Sequence, residues 1–359
     1  MDILQPELIW VDGRCYRVYE NVKRVQDACN LSPYVEDDDQ TACNDSEEEY
    51  DSGIDIVPHG SRYKHTFSVA RVLFRSIIGA KGAVHKKLEA ETKTQIKIPK
   101  IGEDGDIVII GSDHRAIKKA RTRINLIIET ARKRLPKTHF VSIPLNEGQI
   151  IMNFNMFKND VLSDPAKIPK GVDEMIFQKP SKLHLTIGVL TLLDAAEINK
   201  AVEALDFCKK HIVKPAIEKY GEIPIRLKGT EIMNDDPSEA RVLYAEVEDQ
   251  NEILQNIADE ILYHYDSIGL LEQREKKVKL HVTLMKTSYK LSNENLKKDG
   301  NGSPTKTKLT FDARDILEAH KDTIFGETTV KQIHLSQRHT ISSNGYYQAT
   351  AKINVHDGF

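Results

Sequence analysis

Residues 61–135 divide into segments with two different hydrophobic periods. Apolar and polar positions alternate, as is typical of strands, in 63–70, 94–99 and 106–111. Apolar positions recur at helical spacing in 71–78, 83–92 and 113–134. Asp113 is the expected N-cap of the last helix, and Pro136 follows its end. The order strand, helix, helix, strand, strand, helix predicts a small domain of mixed α and β structure.

The pattern after residue 136 is dominated by strands, with helices between them. Alternating segments occupy 139–145, 182–187, 223–233, 240–248, 279–284, 328–337 and 345–355, and helical segments occupy 194–219 and 250–267. The two halves of this region look loosely alike. The sequence therefore predicts an α+β (mixed) chain with an N-terminal segment at 1–60, one domain at 61–135 and a larger domain at 136–359.

The first sixty residues lack the regular pattern of the two predicted domains. Residues 7–20 have weak strand character around a turn at Asp12-Gly13. Residues 30–60 are acidic, poor in apolar side chains and interrupted by Pro and Gly, a composition that predicts a disordered arm. Ser46 precedes three glutamates, so it is either an acidic-directed phosphorylation site or part of a plain solvated linker.

Composition limits the cellular setting. Of the 359 residues 40% are hydrophobic, but no apolar run reaches eighteen residues, so we expect no membrane-spanning helix and no membrane partner. The first residues lack the basic and apolar regions of a secretory signal. The four cysteines are scattered and form no Cys-x-x-Cys pair, which favours a reduced intracellular compartment over a zinc site.

The net charge of −3 hides a strong asymmetry. Residues 1–60 carry four Lys and Arg against fifteen Asp and Glu, a net charge of −11. Residues 61–137 carry nineteen against seven, a net charge of +12. A basic segment of this kind is typical of a domain that binds a polyanion, although well-solvated helices would give the same balance.

A glycine loop joins the first two predicted helices of the basic domain. Gly79 and Gly82 let the backbone turn sharply and keep side chains away from a sugar-phosphate chain. The helix after Gly82 offers free N–H groups to phosphate at its positive end. The candidate RNA-binding residues of this loop and its flanks are Ile78, Gly79, Ala80, Lys81, Gly82, Lys86 and Lys87.

The element order and the Gly-x-x-Gly loop over about 63–134 resemble a KH domain of the eukaryotic type. The resemblance implies that the loop grips about four nucleotides of single-stranded RNA. Ala80 departs from the family expectation, because its side chain offers neither a charge nor a hydrogen bond. Lys81 then supplies the only cation within the loop itself.

The pentapeptides KLHLT at 182–186 and KLHVT at 279–283 place their histidines 97 positions apart. On a strand, His184 and Thr186 share one face, and His281 and Thr283 repeat the arrangement. A pair of histidines can take a proton from an attacking oxygen and give one to a leaving oxygen, while threonine hydroxyls bind phosphate oxygens. This chemistry needs no metal and no cofactor.

The doubled His-x-Thr over about 137–359 resembles the two-histidine phosphoesterase superfamily, whose two similar lobes share one cleft. The resemblance implies that His184, Thr186, His281 and Thr283 form the catalytic site of a metal-independent RNA phosphodiesterase, a hydrolase. Lys182 and Lys279 precede the histidines and are candidates for the cleft rim. Two alternatives remain open. In the first, both histidines are core residues, and in the second they are metal ligands, although threonine is a poor metal ligand.

Two further signals bear on the cellular role. His334 and Ser336 form a third, similar motif, which we interpret as structural or supporting. The domain pair, with NDDP before VLYAEV and GYY near the end, resembles subunits of a nuclear, helicase-containing transcription-coactivator complex tied to repair of alkylated DNA. Nuclear localisation follows from that resemblance, with weak support from the basic run at 132–134. A non-catalytic adaptor that binds RNA and only holds nucleotide in its cleft is the alternative function.

Overall fold

The computed structural model describes residues 8–11, 14–17, 54–100, 105–271, 277–290 and 309–355. Met1–Gly53 and Ile54–Phe359 form two separate compact units. In the first unit, strand β1 (Leu8–Val11) pairs antiparallel with β2 (Arg14–Arg17), as the strand character of this segment predicts. Residues 30–53 of the predicted arm, including Ser46, lie outside the described residues.

The basic part of the second unit is a four-stranded antiparallel sheet with three helices. Its strands are β3 (Ile56–His59), β4 (Arg62–Phe67), β5 (Gln95–Lys97) and β6 (Ile107–Gly111), in the order β3-β4-β6-β5. Its helices are α1 (Phe74–Ile78), α2 (Ala83–Thr92) and α3 (His114–Arg132). The chain order β4-α1-α2-β5-β6-α3 confirms the order of elements that the hydrophobic pattern predicts.

Strand β3 corrects one prediction, because residues 56–59 were assigned to the disordered arm. Ile56 pairs with His65 of β4, and its side chain packs against the core below the sheet. The backbone of β3 forms its hydrogen bonds with the neighbouring strand β4. The local sequence of residues 56–59 gives no signal of this pairing. The domain boundaries at 60 and 135 themselves stay predictions.

The helices of this sheet are held by a cap and a compact apolar core. The Asp113 carboxylate accepts a hydrogen bond of 2.7 Å from the Ala116 N–H, so the predicted N-cap of α3 is present. The fully buried core side chains come from both helices and strands: Ile77, Ile107, Ile109, Ile117 and Ile124. Their burial fixes the two ends of the glycine loop relative to the sheet.

The remaining strands form one eight-stranded antiparallel sheet. They are β7 (His139–Pro144), β8 (His184–Leu190), β9 (Pro224–Ile232), β10 (Val242–Glu248), β11 (His281–Lys286), β12 (Ile324–Thr329), β13 (Gln332–Ile341) and β14 (Tyr347–Asn354). The helices are α4 (Gly148–Leu162), α5 (Ala195–Cys208), α6 (Lys214–Tyr220), α7 (Ile253–Ser267) and α8 (Arg314–His320). None of the helices in the described ranges has the length and apolar content that crossing a membrane requires.

The eight strands divide into two similar halves. The order is β12-β9-β10-β11-β8-β7-β13-β14, so the two strands that carry the His-x-Thr motifs lie side by side in the middle. β8 and β11 share one registered pair, Leu185 with Val282, whereas β7 and β8 share six. The two halves of the sheet are therefore joined at a narrow seam, the single registered pair between β8 and β11, and diverge on either side of it. The predicted α+β fold with two similar lobes and a shared cleft is confirmed.

Helix α4 has no counterpart in the sequence interpretation. Ile150, Phe154 and Phe157 are buried and stand at positions i, i+4 and i+7, which is helical spacing. Met152 and Met156 are also apolar but exposed, so apolar residues occur on the solvent side of the helix as well. The helical period is hidden by these two methionines.

Helix α3 is fastened to the larger sheet domain at its last turn. The Arg132 guanidinium forms an ion pair with Glu197 at the start of α5, and its Nη1 donates to the Thr191 carbonyl at 3.4 Å. Glu197 also accepts a hydrogen bond of 2.9 Å from the Leu193 N–H. Because both side chains are mostly buried, this bridge links the two domains through α3.

Candidate active site and nucleic-acid-binding loop

The glycine loop needs both of its glycines, but for different reasons. Gly79 (φ 71°) and Gly82 (φ 77°) both have positive φ angles, and Lys81 between them also has one (φ 51°). A Cβ on Gly79 would lie 2.4 Å from Cγ2 of Val84, whereas a Cβ on Gly82 would meet no atom within 4 Å. Gly79 therefore allows close packing of the loop on α2, and Gly82 leaves the start of α2 open.

The predicted RNA-binding side chains point outward from this loop. Ala80, Lys81, Lys86 and Lys87 are exposed, while Ile78 is half-buried and packs against the apolar core. Lys87 forms a helical ion pair of 3.7 Å with Glu91. Across the described ranges, Lys81 and Lys86 have no ion pair, so their charges are available to an anion at the first turn of α2.

We expect Gly79→Ala to destabilise the protein more than Gly82→Ala. The left-handed conformation of residue 82 costs alanine about 1 kcal/mol, and the φ of 71° with ψ of 178° at residue 79 costs it more. Only the alanine at 79 also collides with Val84. Chemical denaturation of the two variants measures the difference in the free energy of unfolding. Equal values would contradict the proposed packing role of Gly79.

The structure brings the four predicted catalytic side chains together. Since Leu185 pairs with Val282 in antiparallel strands, His184 stands opposite Thr283 and Thr186 opposite His281. All four are half-buried and share one sheet face, while Leu185 and Val282 are fully buried on the other. We call these four residues the His–Thr quartet. Diagonal positions of a regular antiparallel pair lie about 7–8 Å apart, and the charge of His281 acts on His184, so the two histidines lie near each other at opposite corners of the quartet.

Each histidine ring donates a hydrogen bond to the backbone two residues earlier, just before its strand begins. Nδ1 of His184 lies 2.7 Å from the Lys182 carbonyl, and Nδ1 of His281 lies 2.6 Å from the Lys279 carbonyl. A carbonyl oxygen only accepts, so Nδ1 carries the proton in both rings. Nε2 is then the atom that each neutral ring presents for taking up a proton.

The predicted rim lysines lie over tyrosine rings, in the same way in both halves. Nζ of Lys279 is 4.7 Å from the ring centre of Tyr244, and the His281 ring meets this tyrosine edge-on at 5.4 Å. Nζ of Lys182 is 4.9 Å from the ring centre of Tyr347. The His184 ring meets Tyr347 at 5.6 Å. Cation–π contact fixes each ammonium group beside its histidine.

The two half-sites differ in how closely they enclose the histidine. The ring of His184 also contacts Phe140 at 5.1 Å and Tyr346 at 6.3 Å. The pKa of His184 is lowered to about 4, mainly by burial, with a smaller contribution from the charges of His281 and Lys286. Burial also lowers the pKa of His281, though less strongly. His184 is thus neutral at physiological pH.

Acidification should destabilise the fold through His184. Its pKa is near 6.5 in the unfolded chain and about 4 in the folded one, so unfolded protein binds the proton more tightly. The contribution to stability is full above about pH 6.5 and is lost as the pH falls toward about 4. The His184 contribution to the unfolding free energy is about 1–3 kcal/mol, a range that allows for solvent screening because the ring is partly exposed.

Urea denaturation at about pH 7.5 and 4.5 measures this effect. Wild-type protein should lose more unfolding free energy between the two pH values than His184→Gln does. The other histidines are present in both proteins, so their contributions to the pH dependence cancel in the comparison. An identical loss in both proteins would contradict the lowered pKa of His184.

His334 lies outside the His–Thr quartet. In register it stands opposite Ser142 on β7, which in turn stands opposite Thr186, so His334 is two strands away on the same face. Its Nε2 lies 2.8 Å from Oε1 of Gln332, and its ring contacts Tyr346 at 5.7 Å. This position agrees with a supporting role, which stays an interpretation.

Sequence reasoning missed the aromatic and basic side chains that surround the quartet. They are Phe140, Tyr244, Lys286, Tyr289, Arg338, Tyr346 and Tyr347. Two signals were present, because VLYAEV contains Tyr244 and GYY contains Tyr346 and Tyr347. Both motifs contributed to the family resemblance, but the sequence analysis assigned no role to their tyrosines.

Comparison with known proteins identifies both domains. Residues 137–355 match the AKAP7 2′5′ RNA ligase-like domain, and residues 64–126 match the KH domain. The chain is 36% identical over 372 residues to activating signal cointegrator 1 complex subunit 1 of Mus musculus, covering 98% of this chain and 99% of that protein. It is 26% identical over 223 residues to A-kinase anchor protein 7 isoform gamma of Homo sapiens, covering 62% and 58% of the two chains.

The agreement extends over both domains and nearly the whole of the mouse relative. Both domains that the family models describe are present here: the KH domain with its glycine loop, and the sheet domain in which the two His-x-Thr strands pair. The chain therefore belongs to the activating signal cointegrator 1 complex subunit 1 family.

Proposed function

We propose that this chain is a metal-independent RNA phosphodiesterase whose KH domain holds single-stranded RNA. The observation that carries the proposal is the His–Thr quartet, in which two histidines with free Nε2 atoms stand at opposite corners and two threonines at the others. Its substrate is a phosphodiester or a cyclic phosphate at an RNA end. The +12 charge of residues 61–137 and the exposed Lys81 support binding of the RNA chain.

The two histidines divide the proton transfers. His184, which burial keeps neutral, takes a proton at Nε2 from the attacking water or hydroxyl as the new P–O bond forms. His281, whose pKa is lowered less, reacts in its protonated form, in which both ring nitrogens carry a proton, and donates the Nε2 proton to the leaving oxygen as the old P–O bond breaks. The hydroxyls of Thr186 and Thr283 donate to the non-bridging oxygens. Exchange with solvent then restores both histidines.

The cellular assignment rests on the relative's name. The mouse protein is a subunit of the activating signal cointegrator 1 complex, and the identity covers almost all of both chains. We propose that this chain likewise joins a nuclear, helicase-containing transcription-coactivator complex tied to repair of alkylated DNA. Binding of the other subunits by the full chain in nuclear extract, and its absence from cytoplasmic fractions, tests this assignment.

A non-catalytic adaptor is the second candidate. The Tyr347 ring beside His184 is only half-buried, so it can stack on a nucleotide base without any proton transfer, whereas Phe140 and Tyr346 are buried. In this alternative the cleft binds RNA ends and the complex supplies the chemistry. Nucleotide binding without turnover distinguishes the adaptor from the enzyme.

Turnover in the presence of EDTA is the direct test. The full chain should hydrolyse at least one of four substrates: 2′,3′-cyclic nucleotides, 3′,5′-cyclic nucleotides, 2′,5′-linked dinucleotides and 3′,5′-linked dinucleotides. Because the quartet alone performs the proton transfers and binds the phosphate, EDTA should leave the rate within about twofold. Tight binding of all four with no product would favour the adaptor.

A further inference from the structure

The turn between β13 and β14, residues 342–346, is fastened to the segment that leads into the His184 motif. The Ser181 hydroxyl donates a hydrogen bond of 3.1 Å to the Gly345 carbonyl, and the Ser181 carbonyl accepts one of 2.9 Å from the Asn146 side chain. Gly345 has a φ of 81°, and a Cβ there would lie 3.1 Å from the Ser181 hydroxyl oxygen. The turn therefore packs tightly against a residue that stands three positions before His184.

Tyr346 ends this turn, and its side chain is directed into the protein. Tyr346 is only 2% exposed, and its hydroxyl lies 3.1 Å from the hydroxyl of Ser142, which is fully buried on β7. Burial raises the pKa of Tyr346, so its hydroxyl stays protonated. Ser142 stands opposite Thr186 in register. The hydrogen bond between the two hydroxyls therefore ties the turn to the strand beside the quartet.

The Tyr346 ring reaches His184 both directly and through Tyr347. The rings of Tyr346 and His184 meet edge-on, with their centres 6.3 Å apart. The Tyr346 ring also meets the Tyr347 ring at 5.4 Å, and Tyr347 meets His184 at 5.6 Å. The Phe140 ring completes the enclosure, at 5.1 Å from His184 and 4.9 Å from Tyr347. Three aromatic rings thus restrict the orientation of the imidazole.

The His281 half-site has a simpler packing. Among the described residues, the His281 ring has one aromatic contact, with Tyr244 at 5.4 Å. Both histidines carry the same Nδ1 hydrogen bond to a backbone carbonyl, so this bond does not distinguish them. A ring held at one nitrogen can still tilt about that bond, and packing against its faces and edges limits the tilt. The additional rings therefore orient Nε2 of His184, and Tyr346 fixes their enclosure to β7 through Ser142.

We propose that Tyr346 and Ser142 are positioning residues for His184, because their hydrogen bond holds the Tyr346 ring in place and so keeps Nε2 of His184 aimed at the reacting phosphate. This inference rests on the proposed function, since it takes His184 as the base. Both residues are buried, so they act through His184 and exchange no proton with the substrate. A misplacement of about 1 Å at a reacting atom costs about 10²-fold in rate, so the loss of this contact should appear in kcat more than in KM.

Removing either hydroxyl tests the pair. Tyr346→Phe and Ser142→Ala each break the hydrogen bond with little change of shape, and each should lower kcat by about tenfold while KM stays within about twofold. The double variant should lose no more than about threefold beyond either single variant, since both substitutions remove the same contact. Steady-state kinetics on the best substrate of the EDTA experiment, below the unfolding temperature of every variant, measures the three losses.

Tyr265→Phe is the matched control for the loss of a buried tyrosine hydroxyl. Tyr265 is 1% exposed on α7, and its hydroxyl donates a hydrogen bond of 2.8 Å to the Ala201 carbonyl. It belongs to the same apolar core as Leu185 and Val282, whose side chains lie on the face opposite the quartet. Tyr265→Phe should therefore lower thermal stability about as much as the Tyr346 variant does, and leave kcat within about twofold.

The titration of His184, followed by NMR of the histidine rings, gives a readout that needs no turnover. Without its anchor the Tyr346 ring moves and admits water to His184. Tyr346→Phe and Ser142→Ala should therefore raise the pKa of His184 from about 4 by roughly half a unit or more. Tyr265→Phe should leave this pKa unchanged.

The outcomes separate this inference from the proposed function. A wild-type kcat in Tyr346→Phe and Ser142→Ala, or an equal loss of kcat in Tyr265→Phe, would overturn the positioning role. Losses that multiply fully in the double variant would also overturn it, because the two hydroxyls would then act separately. A protein that turns over no substrate, but in which both variants raise the pKa of His184, would support the positioning contact and count against catalysis. No turnover and an unchanged His184 pKa in every variant would overturn both.

Discussion

His184→Asn and His281→Asn should each lower kcat by about 10²–10⁴-fold, because each removes one of the two proton transfers. Neither should unfold the protein, since both rings are half-buried and asparagine fits the space. KM should change far less than kcat. Single-turnover assays on the best substrate of the EDTA experiment, with thermal unfolding of the same preparations, measure both effects.

His339→Asn is the matched control for this experiment. His339 is exposed on β13, outside the quartet, so the same substitution there should leave kcat within about twofold. The pH profile adds a second check. If His184 is the base, its loss should remove the acidic limb of the kcat profile, and the loss of His281 should remove the basic limb. A drop of less than about tenfold in either variant would mean that the quartet is not the reaction centre.

Lys81→Asp should weaken binding of single-stranded RNA by about 10–100-fold, because an attractive contact with phosphate becomes a repulsive one. The pair Ala80→Asp with Lys81→Asp should weaken it further. Both side chains are exposed, and aspartate tolerates the positive φ of residue 81 better than most residues, so the fold should persist. Fluorescence anisotropy with a labelled oligonucleotide of about twelve nucleotides measures affinity.

Lys93→Asp provides a closely matched control. Lys93 is exposed, belongs to the same domain and has the same φ of 51°, but it follows α2 whereas Lys81 precedes it. The two variants therefore change charge and backbone strain alike. An RNA affinity that falls equally in both would indicate diffuse electrostatic attraction and would remove the glycine loop as the binding site. A smaller salt dependence in Lys81→Asp alone would support the loop.

The hydrophobic pattern was sufficient to predict those helices and strands in which apolar and polar residues alternate with a regular period. The alternation at 182–187 placed His184 and Thr186 on one face, and Asp113 marked the start of α3 where the structure has it. The hydrophobic pattern did not predict α4, because two exposed methionines lie on the solvent side of that helix. It also failed at β3, whose stability comes from pairing with β4.

The surroundings of the His–Thr quartet could not be predicted from the sequence, for a different reason. The contact of His184 with Tyr347 joins residues on β8 and β14, which are separated by two intervening strands of the sheet. The quartet itself depends on the register of Leu185 with Val282, and a shift by one residue would turn one histidine to the opposite face. Strand register over such separations is set by tertiary packing, which residue spacing does not encode.

The narrow seam between β8 and β11 has a consequence for how this family diverges. One registered pair joins the two halves, so the separation of the two Nε2 atoms depends on how Leu185 and Val282 pack against the helices behind them. A change of volume at either position would tilt one half against the other while both motifs stay intact. An aliphatic exchange at either position would therefore change the geometry of the quartet, and an unaltered pair of His-x-Thr motifs does not by itself identify an active enzyme in this family.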